Sequence, residues 1–293
     1  MLNGWIVYNQ VDADKNYLFI EGFIEQAAAM DIRLLFKRKE DFSIGYWDGT
    51  LQMFYEGNEV SHPDFVISRN LDETFRTQLE LMGIRVFNSA TIGRIANNKA
   101  RTHQLLAGHG IPMTDTLFIR KEEWNPDILP FSYPLIVKDA NGRSGTSVFK
   151  VDNDTELKES LKALQGEILI QRPALEGKDV RVFVVGKDIV CAILRQSDLD
   201  FRANISLGGS SSVYTLNESE QELVHKILNI LDLDYAGIDF IFDHKGRFLL
   251  NEIEDVVGSR SLFANTSINI YEIYLNHILK TINLANNQYH RFN

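Results

Sequence analysis

One stretch of this 293-residue chain restricts its fold and chemistry more than any other. It is an apolar run, Tyr235-Ala236-Gly237-Ile238-Asp239-Phe240-Ile241-Phe242, then the turn formers Asp243-His244-Lys245-Gly246, then Arg247-Phe248-Leu249-Leu250-Asn251-Glu252-Ile253-Glu254-Asp255. Two β-prone runs around a glycine-containing turn predict an antiparallel hairpin. A turn centred on His244 and Lys245 sets Asp239 opposite Leu250, with Glu252 on its diagonal. Side chains alternate faces with period two, so Asp239, Glu252 and Glu254 share one face. Diagonal neighbours lie roughly 7–8 Å apart, a span that one or two cations bridge. Three carboxylates on an apolar strand pair repel one another unless something positive sits among them. Mg²⁺ is the first candidate, because it takes one or two carboxylates plus substrate phosphates. An edge hairpin with its acids in water is the alternative.

The length predicts about two domains. The chain is 44% hydrophobic and 24% charged, enough to bury real cores. A net charge of −10 speaks against a nucleic-acid partner, which needs a basic face. It leaves room for a nucleotide pocket, which needs a few local cations. Cys191 is the single cysteine, so no internal disulfide forms, in keeping with a cytoplasmic location. Its apolar neighbours suggest a buried core thiol. No apolar run reaches the ~18 residues of a membrane span, and the first residues enter a strand without a signal peptide's basic start.

In residues 1–95, strands at Trp5–Tyr8, Ile32–Phe36, Phe65–Ser68 and Ile84–Phe87 alternate with helices at Tyr17–Met30 and Asp72–Met82, and a hairpin at Ser43–Tyr55 turns on Asp48-Gly49. This is the pattern of a small, mostly parallel sheet. It lacks G-x-G-x-x-G. One helix is predicted from Ser89 to Gly108, carrying Lys99. The strand Tyr133–Asp139 ends with Lys138 and runs into the loop Asn141-Gly142-Arg143-Ser144-Gly145-Thr146-Ser147. Such a loop lays backbone N–H groups along a phosphate chain, although a plain hairpin turn reads the same way; no Walker A loop is present. In Asp179-Val180-Arg181-Val182-Phe183-Val184-Val185-Gly186, Asp179 and Arg181 point to one face, where a mutual salt bridge is the simplest expectation. Phe201-Arg202-Ala203-Asn204 and Leu207-Gly208-Gly209 follow.

Taken in this order, the residues resemble the ATP-grasp superfamily, and within it the RimK-type amino-acid ligases. The resemblance covers residues 95–285 and rests most on Asp179 to Gly186, Phe201 to Asn204 and Gly208-Gly209. It implies an α/β (α+β) ATP-grasp fold: an N-terminal α/β domain (1–95), a central lid subdomain (96–175), a C-terminal subdomain (176–285) with the metal site, and a tail (286–293). Lys99 and Lys138 fall on the nucleotide-phosphate lysines. Gly142, Ser144, Gly145 and Thr146 fall in the loop over the phosphates. Gln171, Arg172, Pro173 and Ala174 fall at the adenine hinge, and Asp179 at the ribose contact. Arg202 and Asn204 fall beside the transferred phosphate, with Arg202 and Lys138 as the catalytic pair. Asp239, Glu252 and Glu254 fall on the ligands of two Mg²⁺ or Mn²⁺ ions. Apart from the resemblance, Arg181 and Arg260 are candidates for a substrate carboxylate; Arg260 lies just past the metal strand, and a surface salt bridge is an equal reading of it. The family usually has E-x-N where this chain has Glu252-Ile253-Glu254, so a carboxylate replaces an amide. Arg172-Pro173 also departs from the usual hinge.

The activity so implied is ATP-dependent ligation of a carboxylate to an amine through an acyl phosphate. It adds an amino acid such as glutamate to a small molecule or peptide, without nucleic acid or membrane, in a homo-oligomer such as a dimer or tetramer. A dipeptide ligase joining free amino acids, or a protein that binds ATP without turnover, are the other readings.

Overall fold

The computed structural model describes residues 1–125, 129–143, 145, 147–197 and 209–289. It divides into two compact units, the first made of Met1–Arg94, Asp232–Tyr235 and Ser267–Asn293, the second of Ile95–Leu231 and Ala236–Thr266.

The first unit begins with β1 (Leu2–Tyr8), α1 (Gln10–Lys15), α2 (Tyr17–Ala29) and β2 (Ile32–Arg38). A hairpin follows, β3 (Phe42–Trp47) and β4 (Thr50–Tyr55), with the short β5 (Asn58–Glu59) beside it. Its turn takes φ of 51° at Asp48 and 81° at Gly49, the left-handed pair that an Asp-Gly turn accommodates. Then come β6 (Phe65–Ser68), α3 (Glu73–Leu81), β7 (Arg85–Phe87) and α4 (Ala90–Ala96). Strands pair in the order β2-β1-β6-β7, all parallel, as the alternation of strands and helices predicts. Trp5, Val7, Val66 and Val86 on the sheet pack with Phe42, Met53, Phe75 and Leu79 in one core.

The second unit carries two sheets. In the first, β8 (Thr116–Arg120), β9 (Leu135–Asp139), β10 (Val148–Val151) and β11 (Glu167–Gln171) pair antiparallel in the order β10-β9-β11-β8. It is preceded by α5 (Lys99–Gly108), and α6 (Asp154–Ala163) packs Leu157 and Leu161 on Leu135, Val137 and Val151. In the second sheet, β12 (Lys178–Val185), β13 (Asp188–Gln196), β14 (Ser210–Tyr214), β15 (Tyr235–Phe242) and β16 (Phe248–Glu254) are ordered β14-β13-β12-β15-β16. The helix α7 (Glu218–Ile230) starts on a capping box of Asn217 and Glu220, and α8 (Arg260–Asn265) follows β16.

The single helix expected over Ser89–Gly108 is two. Asn98 is extended, with φ −128° and ψ 108°, and its Oδ1 accepts from the Arg101 N–H as the N-cap of α5. An asparagine that caps competes with helix continuation. The break is reinforced because Asn98 Nδ2 donates to Glu167 Oε2 at 2.8 Å and Lys99 N–H donates to the Ala140 carbonyl at 2.8 Å. Lys99 therefore opens a new helix beside the strand ends of the first sheet.

The last helix, α9 (Ile270–Tyr289), extends past the start of the expected tail and belongs to the first unit. Its Tyr271 and Tyr274 meet Phe23 of α2 edge-on, at 5.0 and 6.0 Å between ring centroids. Asn88 also secures that unit: it donates to the Tyr235 carbonyl at 2.8 Å and accepts from Asp234 N–H. Both bonds are buried, so Asn88→Ala should lower unfolding stability by about 2–4 kcal/mol. Chemical denaturation measures it, and a change below about 0.5 kcal/mol would contradict the assignment.

Candidate active site

The site is built on two register shifts in the second unit. In the β15–β16 hairpin, Phe242 pairs with Phe248 and Phe240 with Leu250, but Asp239 pairs with Glu252. The turn is one residue longer than a two-residue turn on His244 and Lys245, and Asn251 is one extra residue in β16. Each offset moves the register by one. Together they correct the expected pairing of Asp239 with Leu250, yet leave the three acids on one face, because two odd shifts make an even one. A diagonal relation becomes a direct one. One ligand oxygen from each of Asp239, Glu252 and Glu254 lies within 4.8 Å of the others.

The β12–β13 hairpin repeats the device. Val184 pairs with Ile189 and Phe183 with Cys191, leaving Val190 as the extra residue and setting Arg195 opposite Asp179. An unshifted hairpin would put Leu194 there. Arg195 holds both oxygens of Asp179 at 2.6 and 2.9 Å and reaches Asp239 at 2.8 Å. Arg181 grips Asp239 with two bonds of 2.8 and 2.7 Å and Glu254 with one of 2.8 Å. The expected Asp179–Arg181 pair is thus replaced: Asp179 takes Arg195, and Arg181 turns to the acids of β15 and β16. Cys191, expected in the core, is half-buried on β13.

This network supplies the positive charge that the three acids demand. Burial alone would raise Asp239, but the Arg181 and Arg195 guanidinium groups outweigh it and hold its carboxyl well below the usual range. For Glu252, burial is likewise outweighed, by Lys99 at 2.8 Å, and the carboxyl is lowered. For Glu254, burial wins over Arg181 and the carboxyl is raised.

A cavity opens on the cation-and-acid cluster. Its lining includes the charged Lys99, Lys138, Arg195, Glu252 and Glu254 and also Gln171, Pro173, Ala174, Ile136, Val148 and Ile241. Gly142, Gly145, Arg172 and Asp179 also face it. Lys99 donates to the Gly142 carbonyl at 2.5 Å, tying the glycine loop to α5. Lys138 is buried, and burial with the nearby Lys99 lowers its ammonium to about 7. Its Nζ donates to Asn251 Oδ1 at 3.0 Å. Gln171 donates to Thr116 Oγ1, and Arg172 is exposed beside Asp115.

Of the predicted residues, Ser144, Thr146, Arg202, Asn204 and Gly208 lie outside the described residues. Arg260 opens α8 at the surface and, with Arg181, is not among the described residues lining the cavity. Three residues that matter here were not singled out from sequence: Arg195, Asn251 and His103. The hairpin turn at Gly186-Lys187 could have led to Arg195 only with the one-residue shift known.

Three carboxylates are hard oxygen donors of the kind that Mg²⁺ and Mn²⁺ take, and the residues fit a divalent cation. Glu252 and Glu254, 24% and 26% exposed, line the cavity; Asp239, 1% exposed, is held among the guanidinium groups and is not among the described lining residues.

Comparison with known proteins decides the family. Residues 96–278 match the RimK-like ATP-grasp domain. The chain belongs to the RimK-like ATP-grasp family. It is 31% identical to a probable alpha-L-glutamate ligase of Xylella fastidiosa (strain M12) over 244 residues, 78% of this chain and 81% of the relative. It is 33% identical to human N-acetylaspartylglutamate synthase A, over 68% of this chain and 55% of that protein. Among solved structures, the D-alanine–D-alanine ligase of Bacillus anthracis complexed with ATP superposes with a TM-score of 0.74 at 17% identity, over 98% of this chain and 99% of that one. A RimK-domain ATP-grasp protein of Sphaerobacter thermophilus DSM 20745 gives 0.72 at 15% identity, over 94% and 98%. The fold is the ATP-grasp fold, and the chain is an ATP-grasp ligase. Among the described residues no helix is long and apolar enough to cross a membrane.

Asp239→Asn leaves two buried guanidinium groups short of charge. It should lower unfolding stability by about 3–5 kcal/mol, whereas Glu254→Gln, at the cavity edge, should lower it by about 1 kcal/mol or less. Urea titrations of both variants without nucleotide or metal test this; equal effects would contradict the network.

Proposed function

We propose that this ATP-grasp ligase uses ATP to join a carboxylate to the amine of an amino acid, with glutamate the first candidate because relatives carry glutamate in their names. The observation that carries the reading is the mixed lining of one cavity, which brings apolar side chains (Ile136, Val148, Ile241) and the hinge residues Pro173 and Ala174 together with lysines, arginines and carboxylates. Such a surface matches a nucleoside triphosphate, with a base at one end and phosphates with their counterions at the other. In this reading Gln171, Arg172, Pro173 and Ala174 frame the base and Asp179 the sugar. Lys99, Lys138 and the Gly142–Gly145 loop meet the phosphates, and Ser144, Thr146, Arg202 and Asn204 extend that set.

A carboxylate resists attack by an amine because oxide is a hopeless leaving group. Its oxygen attacks the γ-phosphorus, the bond from that phosphorus to the β-bridging oxygen breaks, and ADP leaves. The amine then adds to the acyl-phosphate carbonyl, inorganic phosphate departs, and the nitrogen loses a proton. Neither step needs a covalent nucleophile from the protein. The protein's part is positioning and charge neutralisation. Lys99 and Lys138 offset phosphate charge, while Arg181 and Arg195 bring fixed positive charge close behind. Glu252 and Glu254, with Asp239, would hold one or two Mg²⁺ or Mn²⁺ ions. When bound, these supply Lewis-acid neutralisation of the phosphate oxygens.

ADP release should require ATP, a carboxylate and an amine together. A screen of amino acids against small carboxylates and peptides measures it, and amine-independent ADP formation throughout would overturn the ligase reading. The lowered Lys138 adds a second expectation. With its free-protein pKa about 7, Lys138 is mostly neutral at pH 8, and an adjacent triphosphate raises that pKa. ATP binding at pH 8 should therefore take up protons. Calorimetry in two buffers of different ionisation heat shows it as unequal apparent enthalpies; equal ones would remove Lys138 from the phosphates.

A further inference from the structure

Lys138 reaches the cavity from β9 on a flexible four-carbon stem, and its ammonium has three donors to place. The opposite charge that acts on it is Glu252, a carboxylate that also lines the cavity. Direct pairing of the two would take the ammonium from a phosphate and the carboxylate from a cation. What holds Lys138 instead is a neutral acceptor, Asn251 Oδ1 at 3.0 Å.

Asn251 holds that place because it is the extra residue of β16. In a regular strand two successive side chains face opposite ways, yet Asn251 and Glu252 both line the cavity. A residue inserted this way re-aims its side chain, and its backbone needs a partner off the ladder. That partner is His103 of α5, whose Nε2 lies 2.8 Å from the Asn251 carbonyl oxygen. A carbonyl only accepts, so the imidazole proton sits on Nε2. His103 Nδ1 is buried with no partner among the described residues, as fits a bare lone pair. Burial, then Lys138 and Lys99, lowers the ring to about 4, so it stays neutral beside two lysines. Both members of this support therefore carry no charge that would cancel the ammonium or repel it.

We propose that Asn251, clamped through its backbone by His103, is a positioning residue that holds the Lys138 ammonium toward the triphosphate and away from Glu252. This rests on the nucleotide reading of the cavity. Neither residue touches the reacting atoms.

The test compares two ligands that differ only in phosphates. Affinities for ATP with excess Mg²⁺, and for adenosine alone, are measured by calorimetry on the full chain. Asn251→Leu should weaken ATP about tenfold, the order of one charge-assisted hydrogen bond, and leave adenosine within about twofold. His103→Leu should act in the same direction. His103→Gln should restore ATP affinity, since its side-chain N–H lies the same number of bonds from the backbone. Thermal denaturation identifies a variant that does not fold, and the His103 pair then decides alone. Unchanged ATP affinity, or equal loss of ATP and adenosine, overturns the proposal while the nucleotide reading stands. Wild-type protein that binds neither ligand overturns both.

Discussion

The second unit depends on a buried chain of charge: Glu254 to Arg181, Arg181 to Asp239, Asp239 to Arg195, Arg195 to Asp179. Ions buried in this way stay in place only when each finds partners that replace water. Asp239 accepts three guanidinium hydrogen bonds, which leaves little freedom for either arginine. The network ties β12, β13, β15 and β16 through side chains as well as through their ladders. The acids at the cavity are therefore held in place by the protein's own cations.

That arrangement changes how the three carboxylates are understood. Acids awaiting a metal would be expected to repel one another in its absence. Here Arg181, Arg195 and Lys99 already answer them, so a divalent cation enters a site that is close to charge balance. Glu254 adds a third carboxylate to the cluster, and Arg181 meets it. The extra acid and the arginine form one unit, and neither is understood without the other.

Much of this was legible in the sequence. The hairpin, its three acids on one face, the parallel sheet of the first unit and the strand ending in Lys138 all follow from period-two alternation and turn chemistry. The identity of the fold came from the ordered motifs of β12 and the segment after β13. The remainder was hidden for definite reasons. Residue-by-residue pairing depends on offsets such as Val190 and Asn251, which leave no compositional mark. Arg195 is not matched with Asp179 by the sequence, because the two come opposite each other only after such an offset. His103 lay within what reads as one continuous helix, and its role depends on an asparagine 148 residues away. The short strand β8 pairs with β11, far along the chain, and β14 is a serine-rich run without apolar alternation that lies at the sheet edge beside β13.

The offsets around β15 and β16 have a bearing on how chain length can change here. The longer turn and the extra Asn251 each reverse which residues of β16 face the cavity, and only their combination restores it. Loss or gain of a single residue in that turn would turn Glu252 and Glu254 from the cavity, although every side chain named in this site remained in the chain. Length changes in this hairpin are therefore tolerable in pairs, one at the turn and one within the strand. The spacing between Asp239 and Glu252 is as much a part of the site as the carboxylates themselves.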